Sequence, residues 1–355
     1  MRFGIRLLIL IAFTLLLSSP KLIRKGSADS GPNHQVANTN FGVSGGNVND
    51  ISRRFCCGGT LGALVRDAQN TLYILSNNHV LGRSGQANPG EDISQPGLID
   101  NHCQTPPIVA DFTVAPKLGS NVDAAIAQLR LGAMNAAGAI EDIGIPSSVV
   151  KAPTMGLSVA KSGRTTGFTT GTISSINTSV NVQYQPSCGQ GKRFLVGYTN
   201  QVVISSPTFS AGGDSGSLIV SNDSCHQPVA LLFAGSSTTT IGNPIGEVLK
   251  KVSAAHGSSV SFVGGTSVCP TTSMAGNSAL PQNVERAHGA KKRHEQDLMS
   301  RPGVIGVGVG GAEDNSGEGA VVVYFDRTSG HSLVLPERLD NVKVRLVMTD
   351  PIVAY

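Results

Sequence analysis

The residues with the clearest chemistry lie in the stretch 209–217, which reads F-S-A-G-G-D-S-G-S. A serine that attacks a carbonyl must stand on a tight turn, with backbone N–H groups aimed at the oxygen that becomes negative. Gly213 and Gly216 flank Ser215 closely and lack the Cβ atoms that would block such a turn. The apolar run 218–220 follows and predicts a strand that anchors the turn. On its own, this stretch could equally be an ordinary Gly/Ser loop.

Two other stretches supply the partners that such a serine needs. An apolar run over residues 73–75 ends in polar residues and then His79, and Asp123 opens the small-residue apolar run 124–129. Either residue alone is more often structural, the histidine at a strand end and the aspartate as a turn or cap residue. With Ser215 they stand in the order His, Asp, Ser, separated by 44 and 92 residues.

This order and the motifs around it resemble the trypsin-like (chymotrypsin-fold) serine proteases, whose triad runs the same way along the chain. The resemblance is closer still to a bacterial branch similar to the plant narrow-leaf type of trypsin-like proteins. Seven motifs carry it: C-G-G-T-L-G-A-L-V (57–65), L-S-N-N-H-V (75–80), Q-P-G-L-I-D (95–100), N-V-D-A-A-I-A (121–127), K-S-G-R-T-T-G (161–167), G-G-D-S-G-S (212–217) and L-L-F-A-G-S (231–236). Residues 270–355 lie outside the resemblance.

The resemblance implies an all-β fold of two six-stranded β-barrels of chymotrypsin type with a C-terminal helix, expected over residues 244–255. The site then lies in the cleft between the barrels. Ser215 is the implied nucleophile, His79 the general base and Asp123 the residue that orients the histidine. The backbone N–H groups of Gly213 and Ser215 are the implied oxyanion hole.

The resemblance also assigns the substrate cleft. The strand 231–236 is expected to edge it, with Ala234, Gly235 and Ser236 beside the backbone of a bound peptide. Phe209 is expected at the floor of the specificity pocket, which implies an apolar or partly filled pocket without Arg/Lys specificity. The leader lacks an I-V-G-G type start, so Asp214 needs a partner other than a newly cut N-terminal amine.

Composition and charge exclude several classes of protein. Charged residues are 14% of the 355 and hydrophobic residues 40%, which predicts a globular core rather than disorder. The net charge is +4, of which residues 1–28 contribute +5, so the remainder carries −1 and gives no argument for nucleic acid. No C-x-x-C pair is present, and neither a metal site nor a cofactor is predicted. The expected partner is a polypeptide substrate.

The N-terminal residues 1–28 are typical of an export signal. Arg2 and Arg6 precede the apolar run 7–17, which is too short to span a bilayer comfortably, and small residues follow at 26–28. This predicts a secreted or periplasmic protein without a stable membrane span after processing. An uncleaved anchor is the alternative, because residues 21–25 are unusually basic. Residues 29–50, rich in Gly, Asn and Ser, are predicted to be a flexible leader.

Six cysteines fit an oxidising compartment and predict disulfides: Cys56, Cys57, Cys103, Cys188, Cys225 and Cys269. Six cysteines allow fifteen pairings, and the sequence does not choose among them. Cys56 and Cys57 are neighbours, so they are expected to bond to different partners unless one stays free.

The chain is predicted to divide into a protease domain over 51–268, a linker over 269–284 and a small α+β module over 285–355. The linker is rich in Ser, Thr, Pro and Gly. In the module, a helix is expected over 284–299 and strands over 304–309, 320–325 and 342–348. Its role as an adaptor, a substrate-docking domain or an intramolecular brake stays open.

Three functions compete for this sequence. The first is a secreted serine endopeptidase that hydrolyses peptide bonds through a His79-Asp123-Ser215 triad and an acyl-enzyme. The second is a catalytically silent binding module on a protease fold, since such folds can lose their chemistry. The third is an esterase or acyl transferase with the same triad.

Overall fold

The computed structural model describes residues 34–35, 38–53, 55–265, 282–312 and 318–355. The predicted export signal and most of the predicted linker lie outside the described residues. Within the described ranges, no helix is long and apolar enough to cross a membrane.

The first half of the chain forms short strands and one short helix: β1 (Val43–Asn47), β2 (Gly59–Leu61), β3 (Ala63–Arg66), β4 (Leu72–Ser76), α1 (Asn78–Leu81), β5 (Asp92–Ser94), β6 (Ile108–Val114) and β7 (Ala125–Leu129). Neighbouring strands pair in the order β3–β4–β7–β6–β5–β1–β2. Because β2 runs on into β3 across Gly62, this sheet curls back on itself. Leu61, Ile74 and Ile126 are fully buried in its interior.

The second half continues with β8 (Ser158–Gly163), β9 (Gly167–Tyr184), β10 (Phe194–Ser205), β11 (Leu218–Ser221), β12 (Pro228–Gly235), β13 (Thr239–Pro244), α2 (Ile245–His256) and β14 (Ser261–Phe262). Strands β9, β10, β13, β12, β11 and β8 pair in that order, and β8 pairs with β9 to close a ring. All six pairings are antiparallel.

The molecule is therefore mostly β, with two curled sheets and few helices, as predicted for the chymotrypsin type of two-barrel fold. The predicted C-terminal helix of the protease domain is α2. It ends at Gly257, whose φ of 78° places it in the left-handed region that favours glycine. Ile245, Val248 and Val252 of this helix are buried in the core that contains the first sheet.

The prediction of a flexible leader over residues 29–50 is wrong for its second half. All five residues of β1 are buried, and β1 pairs with both β2 and β5. A Gly-, Asn- and Ser-rich composition usually indicates a flexible segment. Here the small side chains instead let the neighbouring strands approach closely, so the segment forms a buried strand. Gly45 shows this: a Cβ there would overlap the Leu61 side chain.

The C-terminal part contains α3 (Gln282–Ser300), β15 (Val304–Gly311), β16 (Gly319–Asp326), β17 (Arg338–Leu339), β18 (Val342–Thr349) and β19 (Val353–Ala354). The helix and the three longer strands lie where the sequence predicts them. Strand β15 pairs with β9, so these strands extend the second sheet. Buried residues on α3, among them Ala287, Ala290 and Leu298, form a core with the valines of β15 and β16.

The last strand, β19, leaves the other C-terminal strands and joins the ring formed by β8–β13. It pairs antiparallel with β12 and parallel with β9. Ile352, just before it, is buried in the apolar cluster that contains Tyr184, Tyr198 and Phe233.

Two disulfides join loops near the cleft. Cys56 bonds to Cys103 and Cys57 to Cys188, so the neighbouring cysteines have different partners, as predicted. The Cys57–Cys188 bond ties the segment before β2 to the loop between β9 and β10. Cys269 lies outside the described residues.

Candidate active site

Strand pairing in the first sheet brings His79 and Asp123 together. His79 lies in α1, directly after β4, and Asp123 lies just before β7, the antiparallel neighbour of β4. The end of one strand therefore meets the beginning of the other. The Nδ1 atom of His79 is 2.6 Å from Oδ2 of Asp123, and the backbone N–H of His79 donates to Oδ1 at 3.2 Å.

Asp123 is fully buried and is held from both barrels. The hydroxyl of Tyr184 on β9 donates to Oδ2 at 2.7 Å. The backbone N–H of Asp123 donates to the Asn243 side chain at 2.9 Å, and its carbonyl accepts from Asn77 at 2.6 Å. An aspartate whose backbone and carboxylate are both held by hydrogen bonds can orient the histidine and stabilise a positive charge on it.

The Ser215 turn requires two glycines with positive φ. Gly213 has φ +99° and Gly216 has φ +95°. The turn is fixed against the first barrel, because Thr60 N–H donates to the Ser215 carbonyl at 2.8 Å and its hydroxyl donates to the Gly213 carbonyl at 3.0 Å. Among the described residues, no acceptor pairs with the N–H of Gly213 or of Ser215. Both predicted oxyanion donors are therefore free to bind a carbonyl oxygen.

Ser215 does not hydrogen-bond to His79 in this structure. Its Oγ donates instead to the carbonyl of Phe233 on β12, at 3.1 Å. The Nε2 atom of His79 lies 2.9 Å from the carbonyl oxygen of Tyr355. The His79-Asp123 pair and the Ser215 turn thus meet at the segment after β19.

Asp214 has a partner that takes the place of a terminal amine. Its carboxylate accepts from the backbone N–H groups of Thr165 and Thr166 at 2.8 and 3.1 Å, and Nζ of Lys161 lies 3.5 Å away. Both charged side chains are fully buried. Burial lowers the pKa of Lys161, an effect that Asp214 only partly offsets.

A second ion pair fixes the loop beside the Ser215 turn. Arg164 donates through Nε and through one terminal nitrogen to the two oxygens of Asp100, each at 2.6 Å. Their side chains are 11% and 6% exposed, so this pair is largely shielded from solvent. The K-S-G-R-T-T-G motif therefore supplies the two cations, Lys161 and Arg164, that hold this wall of the cleft.

The environment of His79 raises its pKa above the ordinary value of 6.5. Burial alone would lower the pKa. The negative charge and hydrogen bond of Asp123, the carbonyl of Tyr355 and the charge of Asp50 together outweigh burial. Asp50 faces the same cleft, and burial raises its own pKa to about 6 against the opposing effects of His79 and Arg83.

The expected substrate-cleft residues lie where β12 edges the cleft. Ala234 and Gly235 pair with Ala354 and Val353, and the carbonyl of Ser236 accepts from the Tyr355 hydroxyl at 2.9 Å. Phe209 is fully buried in an apolar cluster against which Tyr355 packs, and its neighbour Ser210 lines the cavity around Tyr355. Its role as the floor of a specificity pocket stays a prediction.

Sequence reasoning missed several members of the site. Tyr184 is the last residue of an alternating apolar pattern. The pattern predicts that its side chain is buried, but it does not predict the hydrogen bond from its hydroxyl to Asp123. Asp50 lies in the segment taken for a leader. Tyr355 is 276 residues from His79 along the chain, and no local pattern links the two.

Comparison with known proteins gives structural matches only. No protein-family model and no curated protein matches the chain. Among solved structures it is similar to a glutamic acid-specific serine protease, with 20% identity, a TM-score of 0.43 and coverage of 62% of this chain and 98% of that one. It is also similar to protease A of Thermobifida fusca (18%, 0.41, 64% and 99%) and to a Nocardiopsis protease (16%, 0.41, 63% and 98%). All three structural neighbours are proteases, and the first is a serine protease.

Proposed function

We propose that this protein is an exported serine endopeptidase. The observation that carries the proposal is the buried His79-Asp123 pair, whose Nε2 faces a main-chain carbonyl oxygen at 2.9 Å beside the Ser215 turn. That carbonyl belongs to an extended segment paired with the cleft strand. A peptide backbone thus lies beside both the His79-Asp123 pair and the Ser215 turn.

In the proposed reaction, His79 Nε2 accepts the proton of the Ser215 hydroxyl as Oγ bonds to the peptide carbonyl carbon. Asp123 holds the ring and stabilises the imidazolium, and the N–H groups of Gly213 and Ser215 bind the oxyanion. The C–N bond then breaks, and His79 gives its proton to the leaving amine. Water hydrolyses the resulting ester by the same route, which restores Ser215.

The cleft has space for the leaving side of a substrate. A cavity of about 300 Å³ opens beside His79, and its lining includes Asp50, Arg83, Arg164, Gly213 and Tyr355. A chain that continued beyond the attacked carbonyl could enter it.

Export and the finer family placement belong to the same proposal. Two disulfides in the described residues fit an oxidising compartment, and the basic and apolar pattern of residues 1–28 fits a signal. The seven motifs of residues 51–262 support placement beside the plant-like branch of trypsin-like proteins.

The test is labelling by a fluorophosphonate followed by peptide mapping. We expect the label on Ser215, and we expect Ser215→Ala and His79→Ala each to abolish it, because the hydroxyl is reactive only when a base removes its proton. The reaction should be run on the full chain and on a chain lacking residues 353–355. Absence of label from both folded proteins between pH 6 and 9 would rule out the proposal.

One observation favours a second function, a binding module. Ser215 Oγ is hydrogen-bonded to Phe233 rather than to His79, and the cleft already holds a segment of the chain. A folded protein that binds peptides in the cleft, yet neither labels nor cleaves them, would establish this alternative.

A further inference from the structure

The segment 349–355 lies in the cleft as an added strand. Ala354 pairs with Ala234 and Val353 with Gly235, antiparallel, while the Tyr355 N–H donates to the Phe233 carbonyl at 3.4 Å. On its other side, the Gln183 N–H of β9 donates to the Ile352 carbonyl at 2.9 Å. A strand added at an open sheet edge is a general way of binding peptides, with affinity from the main chain and specificity from side-chain pockets.

Tyr355 fills the pocket at the end of this strand. Its hydroxyl donates to the Ser236 carbonyl, and its ring packs against the apolar cluster that contains Phe209. A Cβ on Gly235 would lie 2.6 Å from the ring, so a glycine is needed at this position for an aromatic residue to fit. Burial raises the pKa of the Tyr355 hydroxyl to about 12.

The chemistry of the pocket suits a neutral aromatic group. Most of its lining is small and uncharged: Ser210, Ala211, Gly212, Gly235, Ser236 and Ser237. The one charged group among the described lining residues is Asp350, which is paired with Arg327. The nearest buried carboxylate, Asp214, is bonded to Thr165 and Thr166 and paired with Lys161. A lysine or arginine would therefore meet only carboxylates that already have cationic partners, and the described lining offers no cation to a glutamate.

The segment also closes the site. Ser215 has no exposed surface, and the His79 side chain is 10% exposed. A peptide cannot pair with β12 while Val353 and Ala354 occupy the same edge. Thr349 and Asp350 hold the segment in place through Ser236 and Arg327.

We propose that residues 353–355 are an internal substrate mimic, and that their position assigns the cleft to peptides with tyrosine or phenylalanine on the acyl side of the cleaved bond. This rests on the proposed function. The same segment keeps the full chain in a self-inhibited state, which a substrate must displace.

The kinetic test compares the full chain with a chain lacking residues 353–355. The substrates are peptides of one sequence that differ only in the residue before the cleaved bond: tyrosine, phenylalanine, lysine or glutamate. We expect the deletion to raise kcat/KM on the tyrosine peptide by about tenfold or more, because a tethered segment competes at an effective millimolar concentration. We expect tyrosine and phenylalanine to exceed lysine and glutamate by about 100-fold.

Matched variants distinguish the effect of removing residues 353–355 from a general disturbance of the C-terminal region. Tyr355→Ala in the full chain should activate in the same direction as the deletion, and it covers the case in which the deletion does not fold. Met348→Ala changes an exposed side chain on β18 and should leave the rate unchanged. Equal rates for the full chain and both activating variants would overturn self-inhibition, and a preference for lysine or glutamate would overturn the substrate class.

A binding measurement separates this inference from failure of the proposed chemistry. A fluorescent peptide with the sequence V-A-Y, labelled at its N-terminus, should bind a Ser215→Ala chain lacking residues 353–355, as followed by anisotropy. The same peptide ending in lysine or glutamate should bind at least about tenfold more weakly. Selective binding of this peptide, together with no cleavage of the longer tyrosine substrate by the protein with Ser215 intact, would refute the peptidase and keep the aromatic pocket. Equal binding of all three peptides would refute the pocket.

Discussion

The two barrels contribute to the cleft in different ways. The first supplies His79 and Asp123, already 2.6 Å apart through the pairing of β4 with β7. The second supplies the Ser215 turn and the edge of β12, where Ser215 bonds to Phe233 and the edge is taken by β19. In the proposed mechanism, the acid–base pair is thus already oriented, while the nucleophile and the substrate edge are covered by the chain itself.

This difference shows that preorganisation and accessibility are separate properties. Buried hydrogen bonds fix the charged pair before any substrate arrives, which is what electrostatic catalysis requires. The substrate edge is polar backbone, and an open edge attracts any strand that can reach it. Substitutions in the first half should therefore change the orientation and charge of His79. Substitutions in the second half should change the stability of the Ser215 turn or the occupation of the β12 edge by β19.

The largest effect is expected for Asp123→Asn, measured in the chain lacking residues 353–355. An amide cannot accept the Nδ1 proton of His79 as the carboxylate does, so kcat should fall about 10⁴-fold while the fold is kept. Steady-state kinetics with circular dichroism would check this. A fall of less than tenfold would show that Asp123 does not orient the catalytic base.

The support of the second half is tested by Lys161→Met. This change leaves the Asp214 carboxylate buried without its cation, which should cost about 3–5 kcal/mol in the free energy of unfolding. The control is Lys151→Met, because that lysine forms a 3.4 Å pair with Asp223 at the surface with its side chain 37% exposed. The control should change stability by less than about 1 kcal/mol in denaturant titrations. Equal losses in the two variants would contradict the assigned role of Lys161.

A smaller effect is expected for Tyr184→Phe, which removes the hydroxyl that second-barrel strand β9 contributes to Asp123. A hydrogen bond to a charged group contributes about 1.5–3 kcal/mol, so we expect a drop of about tenfold in kcat. KM should stay constant, because the hydroxyl touches Asp123 rather than the substrate. Tyr198→Phe removes a hydroxyl that is hydrogen-bonded to the Tyr184 hydroxyl at 2.7 Å and does not itself contact Asp123. This substitution should lower kcat less than Tyr184→Phe does.

The smallest effect is a shift in the pH profile. The groups that face His79 are Asp123, Asp50, the Tyr184 ring and the Tyr355 carbonyl, and its pKa is raised above 6.5. Because the base must be neutral, activity is lost as the pH falls through this pKa, and kcat/KM reports it for the free enzyme. Asp50→Asn, made in the chain lacking residues 353–355, removes one charge that raises this pKa and leaves Asp123 in place, so the acid limb should move to lower pH. A limb that moved to higher pH would contradict the assigned effect of Asp50.

The raised pKa of His79 affects stability in the opposite direction from activity, because it favours the folded state at low pH. A pKa raised by folding stabilises the protein fully below the ordinary value of 6.5, and this contribution disappears as the pH rises through the folded value. The difference in denaturant midpoint between the full chain and His79→Ala should therefore be measured as a function of pH. The part of this difference that comes from the raised pKa of His79 should be largest below pH 6.5 and should disappear at alkaline pH.

The sequence predicts the fold class and the elements because short-range signals carry them. Alternating apolar and polar residues predict the strands, and Pro244 and Gly257 predict where α2 begins and ends. The order of His79, Asp123 and Ser215 predicts that the three residues meet, and the structure pairs the first two directly. What local patterns cannot predict is contact between distant segments whose side chains look ordinary in sequence. From sequence alone, Tyr184 is predicted only to be buried, and the residues of β1 are predicted to belong to a leader.

The position of Tyr355 shows this limit most clearly. Its neighbours in the sequence indicate only the end of a strand, while its partners are residues of β9 and β12 far earlier in the chain. Backbone hydrogen bonds at a sheet edge are nearly independent of sequence, so no motif announces them.

In the proposed function, Ser215 forms an acyl-enzyme with His79 as its base. Mass spectrometry can detect this ester directly, in the chain lacking residues 353–355 after rapid mixing with an N-acyl-tyrosine p-nitrophenyl ester and an acid quench. We expect the mass to increase by that of the acyl group, on the peptide that contains Ser215, and we expect no increase in Ser215→Ala or His79→Ala. Ester hydrolysis without modification of Ser215, or the same modification in His79→Ala, would contradict it.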